Sequence, residues 1–260
     1  MRTRDLFLAV AATLGFAVVG AAPGAAQDGH AAIHLKDVSW PSEGLFGTID
    51  RAGAQRGLQV YREVCAACHG LQYVAFRTLS DLGYNEDEIK ALAAEYTITD
   101  GPDDSGEMFE RPGLPSDRVP SPYPNEQAAA AANGGKAPPD LSLITKARMN
   151  GQDYLYSLLT GYEDPPADLE VPAGGYYNAY FPGHVIAMPP PLSADQVTYA
   201  DGTPATVDQM ASDVTQFLTW AAEPKLEARK QTGLKVMLFL LVLSGLTFAL
   251  KRKVWADVPH

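Results

Sequence analysis

The chain has 260 residues, 46% hydrophobic and 20% charged, with 20 prolines, 23 glycines and two cysteines. This composition excludes a disordered chain and any disulfide framework beyond one bond, and it suits one sizeable domain with long irregular connections between few helices. The formal charge of −11 argues against nucleic acid as a partner and for a basic protein, unless the acidity serves solubility alone.

In chain order, the N-terminal "MRTRDLFLAVAATLGFAVVGAAPGAAQ" places two arginines before an apolar run and then small residues. That is the pattern of a secretory signal peptide over residues 1–26, the alternative being an uncleaved anchor. Residues 27–231 are then an exported domain. Asp50 is expected to cap a helix running through "RAGAQRGLQVYREVCAACHG", with Leu58, Tyr61 and Val64 at helical spacing and the cysteines at its C-terminal end. "NEDEIKALAAEY" reads as a second helix, with Asn85 and Glu88 spaced as a capping box. The acidic, proline-rich residues 97–125 read as surface loop.

"SLITKARMNGQDYLYSLLTGY" suggests two short helices broken at Asn150–Gly151. Residues 163–193 have no helical period and many turn residues, and long loops of this kind usually carry function. "TVDQMASDVTQFLTWAA" returns to helix, with Val207, Met210, Ala211, Val214, Phe217, Leu218 and Ala221 on one stripe. Pro224 is expected to open the next helix, which continues into an apolar stretch over residues 232–250. Those residues would rise about 28 Å as a helix, against roughly 30 Å of bilayer hydrocarbon. Lys251, Arg252 and Lys253 follow at once. The positive-inside tendency puts residues 251–260 in the cytoplasm and the domain in the periplasm of a bacterial inner membrane. The fold class expected is mainly α: a helical domain with long proline- and glycine-rich loops plus one C-terminal transmembrane helix.

Chemistry concentrates in Cys65-Ala-Ala-Cys68-His69. CxxCH is the attachment signature of c-type haem, in which two thiols add across the porphyrin vinyl groups and the histidine reaches the iron. A zinc site would need two more ligands, and a redox dithiol would sit near a βαβ pattern; neither is present in the sequence. One covalently bound haem c is therefore expected, with His69 as one axial ligand. Candidates for the other are Met108, Met149, Met188, Met210 and His184. Met188 is favoured because Pro189, Pro190 and Pro191 stiffen the chain behind it. His184 would give a bis-histidine iron, and an open position would suggest gas binding or catalysis.

Several longer segments carry a resemblance: "RGLQVYREVCAACHG", "YPNEQAAAAANGGKAPPDLSLITKAR", "GQDYLYSLLTGYEDPP", "GGYYNAYFPGHVIAMPPPL", "DGTPATVDQMASDV" and "FLTWAAEPKLEARKQTGLK". With the closing "LKRKVW" they cover nearly everything after residue 45, and the sequence resembles the cytochrome c1 family, the haem subunit of the ubiquinol–cytochrome c oxidoreductase (bc1) complex. The resemblance implies a c-type cytochrome domain with thioethers at Cys65 and Cys68 and axial ligands His69 and Met188. It also implies that Arg148 pairs with a haem propionate and that Tyr154 and Pro139 line the haem pocket. The implied role is to pass single electrons from the Rieske iron–sulfur protein to a soluble or tethered c-type cytochrome, with the cytochrome b subunit and the lipid bilayer as further partners and no catalytic site of its own. The alternatives are another membrane-tethered cytochrome, such as a terminal-oxidase subunit, and a haem enzyme. One departure stands out: some bacterial relatives carry an extra cysteine pair forming a disulfide, and this chain has none, so the loop around Met188 is expected to depend on packing and prolines alone.

Overall fold

Two helices crossing at unusually short range organise the molecule. They are α1 (Arg51–Glu63) and α5 (Val207–Ala222) in a computed structural model that describes residues 33–257. The expected signal peptide lies outside the described residues. Asp50 caps α1 by accepting from the N–H groups of Ala52 and Gly53, and Thr206 caps α5 by accepting from that of Gln209. The close crossing depends on Gly57, where a Cβ would stand 2.0 Å from the carbonyl oxygen of Asp213. Beside it, Arg56 reaches the fully buried Asp213 through two hydrogen bonds of 2.9 Å and the exposed Asp201 through a third of 3.0 Å. These partners hold the guanidinium well above its ordinary pKa. Tyr61, Phe217 and Trp220 stack through this interface into one core cluster that also takes in Leu71, Phe76, Leu82 and Met210.

The cysteines do not ride on α1. That helix ends at Glu63, and Cys65–Ala67 form a 3-10 turn. The break falls at Val64, a β-branched residue at φ −119°, and a tighter last turn is the common way to end a helix. After β1 (Leu71–Ala75) and a second 3-10 stretch, α2 (Glu86–Ala94) has the expected capping box between Asn85 and Glu88.

Residues 97–125 are not plain loop. β2 (Thr97–Asp100) and β3 (Phe109–Pro112) form an antiparallel hairpin in register from Thr97↔Pro112 to Asp100↔Phe109, and β4 (Arg118–Val119) pairs with β1. Arg111 ties the hairpin down by bonding both Asp100 and Asp117. Strands this short, closed by turn residues and ending in proline, carry too little alternation to be read from sequence. A short helix, α3 (Glu126–Ala132), capped by Asn125, was also not expected.

The stretch before Asn150 is a series of turns rather than a helix, and only α4 (Gly151–Leu159) forms. Asn150 takes φ +49°, which ends the preceding turns and starts the helix in a new direction. Residues 36–42 strap α4: the Lys36 N–H donates to Ser157 Oγ at 2.9 Å, Trp40 Nε1 to Asp153 Oδ1 at 2.7 Å, and Ser42 pairs with Gln152. The long loop that follows contains one small ladder, β5 (Tyr176–Tyr177) against β6 (Val185–Ile186).

The last helix, α6 (Leu226–Val254), begins two residues after Pro224 and runs for 29 residues. Its apolar stretch is unburied and long enough to cross a membrane by length and composition. Among the described residues, its first turns make the contacts with the domain: Leu226 is buried, Glu227 pairs with Arg51, and Arg229 bonds Glu223.

Candidate functional site

The turn at Cys65–Ala67 is braced at both ends. The N–H groups of Cys68 and His69 both donate to the carbonyl of Cys65, at 3.1 and 2.9 Å, so a single acceptor holds the whole motif together. The two thiols are free and half-buried. Burial, and then the neighbouring Cys68, push the Cys65 thiol up to about 12, which makes it a neutral group against an apolar core. A thioether at this position would have no proton to lose and would suit that environment at no electrostatic cost.

His69 has a defined tautomer. Its Nδ1 lies 2.7 Å from the carbonyl oxygen of Pro139. A carbonyl only accepts, so the proton sits on Nδ1 and Nε2 presents a bare lone pair, the arrangement of a metal-binding imidazole. Burial keeps the ring below its ordinary pKa, against the opposing pull of Pro139 and Asp140. Pro139 is held in turn by the segment behind it: the Leu141 N–H donates to Gly70 O at 2.9 Å, and Asp140 accepts from the Gln72 N–H at 2.8 Å. The side-chain hydroxyl of Ser142 accepts from the Tyr73 N–H at 3.1 Å.

Met188 packs half-buried against the core cluster that Cys65 also touches. Met210 is fully buried within α5, while Met108 and Met149 are 58% and 90% exposed. Among the described methionines named as candidates, Met188 alone stands at the margin of the core. His184 takes φ +59° and stacks on Tyr177, and its Nδ1 is sealed from solvent without a hydrogen-bond partner.

No disulfide holds the Met188 loop, and hydrogen bonds do so instead. The Tyr162 hydroxyl donates to Met188 O at 3.0 Å. Asn178, fully buried, donates its side-chain N–H to Leu158 O at 2.8 Å and its main-chain N–H to His184 O at 2.9 Å. Its side-chain oxygen accepts from the Tyr180 N–H at 3.0 Å. On the opposite side Tyr61 donates to His69 O at 2.9 Å. Burial raises both tyrosines well above the usual phenol range, with a contribution at Tyr162 from nearby Tyr154. Sequence reading treated Tyr61 as a core position only, and Tyr162 and Asn178 gave no signal.

The structure thus brings Cys65, Cys68, His69 and Pro139 together and bonds Tyr162 to Met188 O, while no hydrogen bond links Tyr154 to either group among the described residues. Arg148 is exposed on the turn before α4, donating to Ala147 O and paired with no carboxylate among the described residues. No cluster of His, Cys, Asp or Glu that could hold a bare metal ion occurs among the described residues. Two free thiols, an imidazole with a free Nε2 and an apolar margin fit haem c.

Such a site on a mainly helical, loop-rich domain with one candidate spanning helix is that of a membrane-anchored c-type haem protein. The comparisons narrow this. Residues 40–258 match the Cytochrome C1 family. The chain is 54% identical to cytochrome c1 of Rhodospirillum rubrum, over 96% of this chain and 97% of that protein. It is 54% identical to the cytochrome b/c1 protein of Bradyrhizobium diazoefficiens, over 84% of this chain and 35% of that one. It is 52% identical to the mitochondrial cytochrome c1 heme protein of Saccharomyces cerevisiae, over 87% of this chain and 74% of the relative. The chain belongs to the cytochrome c1 family and carries a covalently bound haem c.

Proposed function

We propose that the chain passes single electrons from a Rieske iron–sulfur protein to a soluble c-type cytochrome within a bc1 complex. Cys65 and Cys68 would carry the thioethers, and His69 and Met188 the axial bonds. The haem, when bound, supplies a one-electron couple, and thioether ligation raises its potential relative to bis-histidine ligation. The residues do the rest. His69 keeps its tautomer by donating to Pro139. Tyr162 and Asn178 keep the Met188 loop in one conformation. Arg148, an exposed cation without a carboxylate partner among the described residues, would meet a propionate, and Tyr154 and Pro139 would close the pocket. With both His69 and Met188 bound, the iron would have no open coordination position, and one-electron carriage is the chemistry the site would support.

The cytochrome b subunit is proposed as the neighbour of α6 in the bilayer, in line with a relative whose name joins b and c1. The domain would face the periplasm and the basic tail the cytoplasm. The single observation that carries the reading is the bare Nε2 of His69 immediately after two uncrosslinked thiols. A second reading of the sixth ligand is favoured by the orphaned Nδ1 of His184. Met188→Leu and His184→Ala, each in the full haem-loaded chain, separate the two. Met188→Leu is expected to lower the midpoint potential by on the order of 100 mV or more, within the roughly 0.8 V that axial ligation spans, while His184→Ala leaves it near its starting value. The reverse pattern makes His184 the ligand, and an unchanged spectrum in both ends the proposal.

A further inference from the structure

Just before α1, residues 40–49 form a closed ring. The Glu43 N–H donates to Trp40 O at 3.0 Å and the Thr48 N–H to Pro41 O at 2.9 Å. A Cβ on Gly47 would lie 1.9 Å from Glu43 O, so the ring closes through a position that only glycine fills. The ring is fastened to the start of α6. Lys230 Nζ donates to the carbonyls of Ser42 and Gly47 at 2.6 and 3.3 Å, and Glu227 accepts from the Ile49 N–H at 2.9 Å. Despite this anchoring, Leu45 and Phe46 at the tip are 58% and 77% exposed. Trp40 and Ile49 at the ends of the ring are buried, whereas its tip presents two large apolar side chains outward.

Where it presents them follows from the helix. Lys230 precedes Val236, the start of the uncharged run, by six residues, which is about 9 Å along the axis. It precedes Thr232 by about 3 Å. A loop bonded to Lys230 therefore sits at headgroup depth in any bilayer that α6 crosses, and interfacial apolar segments bury roughly 5–10 Å into that layer. We propose that Leu45 and Phe46 dock into the interfacial layer of the lipid bilayer, making a second membrane contact beside the spanning helix. The occupant is lipid because the loop is bonded through Ser42 and Gly47 to Lys230, just ahead of the apolar run that would enter the bilayer. The inference rests on the reading of α6 as a membrane span.

The test uses the absence of other reactive thiols once Cys65 and Cys68 are held in thioethers. Phe46→Cys in the full haem-loaded chain is labelled with a nitroxide and reconstituted in phosphatidylcholine–phosphatidylglycerol vesicles. Collision with oxygen, which favours lipid, is compared with collision with a water-soluble nickel chelate. Leu240→Cys, in the middle of the apolar run, is the reference, and an unaltered haem spectrum verifies folding of both variants. Oxygen is expected to exceed the nickel chelate at position 46, less strongly than at 240. If 240 favours oxygen while 46 favours nickel, the tip faces water and the inference falls with the span intact. If neither reagent reaches 46, protein rather than lipid covers it and the inference also falls. If 240 itself does not favour oxygen, the span reading has failed and takes the inference with it.

Discussion

A buried phenol is a liability unless its hydroxyl is bonded, and here two of them are used to hold main chain at the two proposed iron ligands. Tyr162→Phe removes the bond to Met188 O and leaves the ring's packing in place. One such hydrogen bond is worth about 1 kcal/mol, so the population in which Met188 has detached should rise roughly fivefold. The ferric sulfur-to-iron absorption reports this, and it is expected to fade at lower denaturant concentration than in the parent chain. Tyr61→Phe should do far less, because His69 is tied on both sides by the proposed thioethers and the Pro139 carbonyl. An unchanged Tyr162→Phe would mean that the Tyr162 bond is not needed to hold the loop. The cysteines and His69 could be read from spacing, because attachment chemistry demands that spacing. Tyr162 and Asn178 could not, because a side chain reaching a carbonyl 26 or 20 residues away leaves no periodic trace.

Helices with a polar cap and an apolar stripe were legible as elements: Asp50, Asn85 and the 207–221 stripe all led to helices close to where they were expected. Other features were not, among them the end of α1 at Glu63, the β2–β3 hairpin, α3 and the turns before Asn150. Each depends on one or two local torsions or on a handful of residues, below the length at which periodicity speaks. Gly57 in α1 was equally silent, since a glycine in a helical pattern reads as a mild flaw. In the structure it is what lets α1 and α5 touch. Gly57→Ala would drive a methyl group into the Asp213 carbonyl, and overpacking of this kind costs about 1–3 kcal/mol. The haem-loaded variant is expected to unfold at a lower temperature, with its midpoint potential nearly unchanged if the turn bearing the cysteines stays intact. Equal melting temperatures would show that the crossing can open without penalty.

Across the whole molecule, the charge of −11 is less available than it looks. Glu86 and Asp87 are engaged by Lys90, Glu88 closes the capping box, and Asp100 and Asp117 are held by Arg111. On the hairpin and its turn, Asp104, Glu107 and Glu110 are exposed. If acidic charge steers a basic acceptor, neutralising Asp104, Glu107 and Glu110 together should slow acceptor reduction at low ionic strength and flatten its dependence on salt. Converting Glu86 and Asp87 to amides should do less. Stopped-flow reduction of a lysine-rich cytochrome over a salt series measures both, and equal slopes for all variants would remove steering from the account.

The joint at Lys230 and Glu227 has a geometric consequence. Because the domain is bolted to the first turns of α6 and not hung from a slack linker, the phase of that helix dictates the compass bearing of everything above the bilayer. Each residue added between Lys230 and Val236 would swing the domain by about 100° and lift it by about 1.5 Å. Direction and height are thus encoded in the count of residues along a single stem.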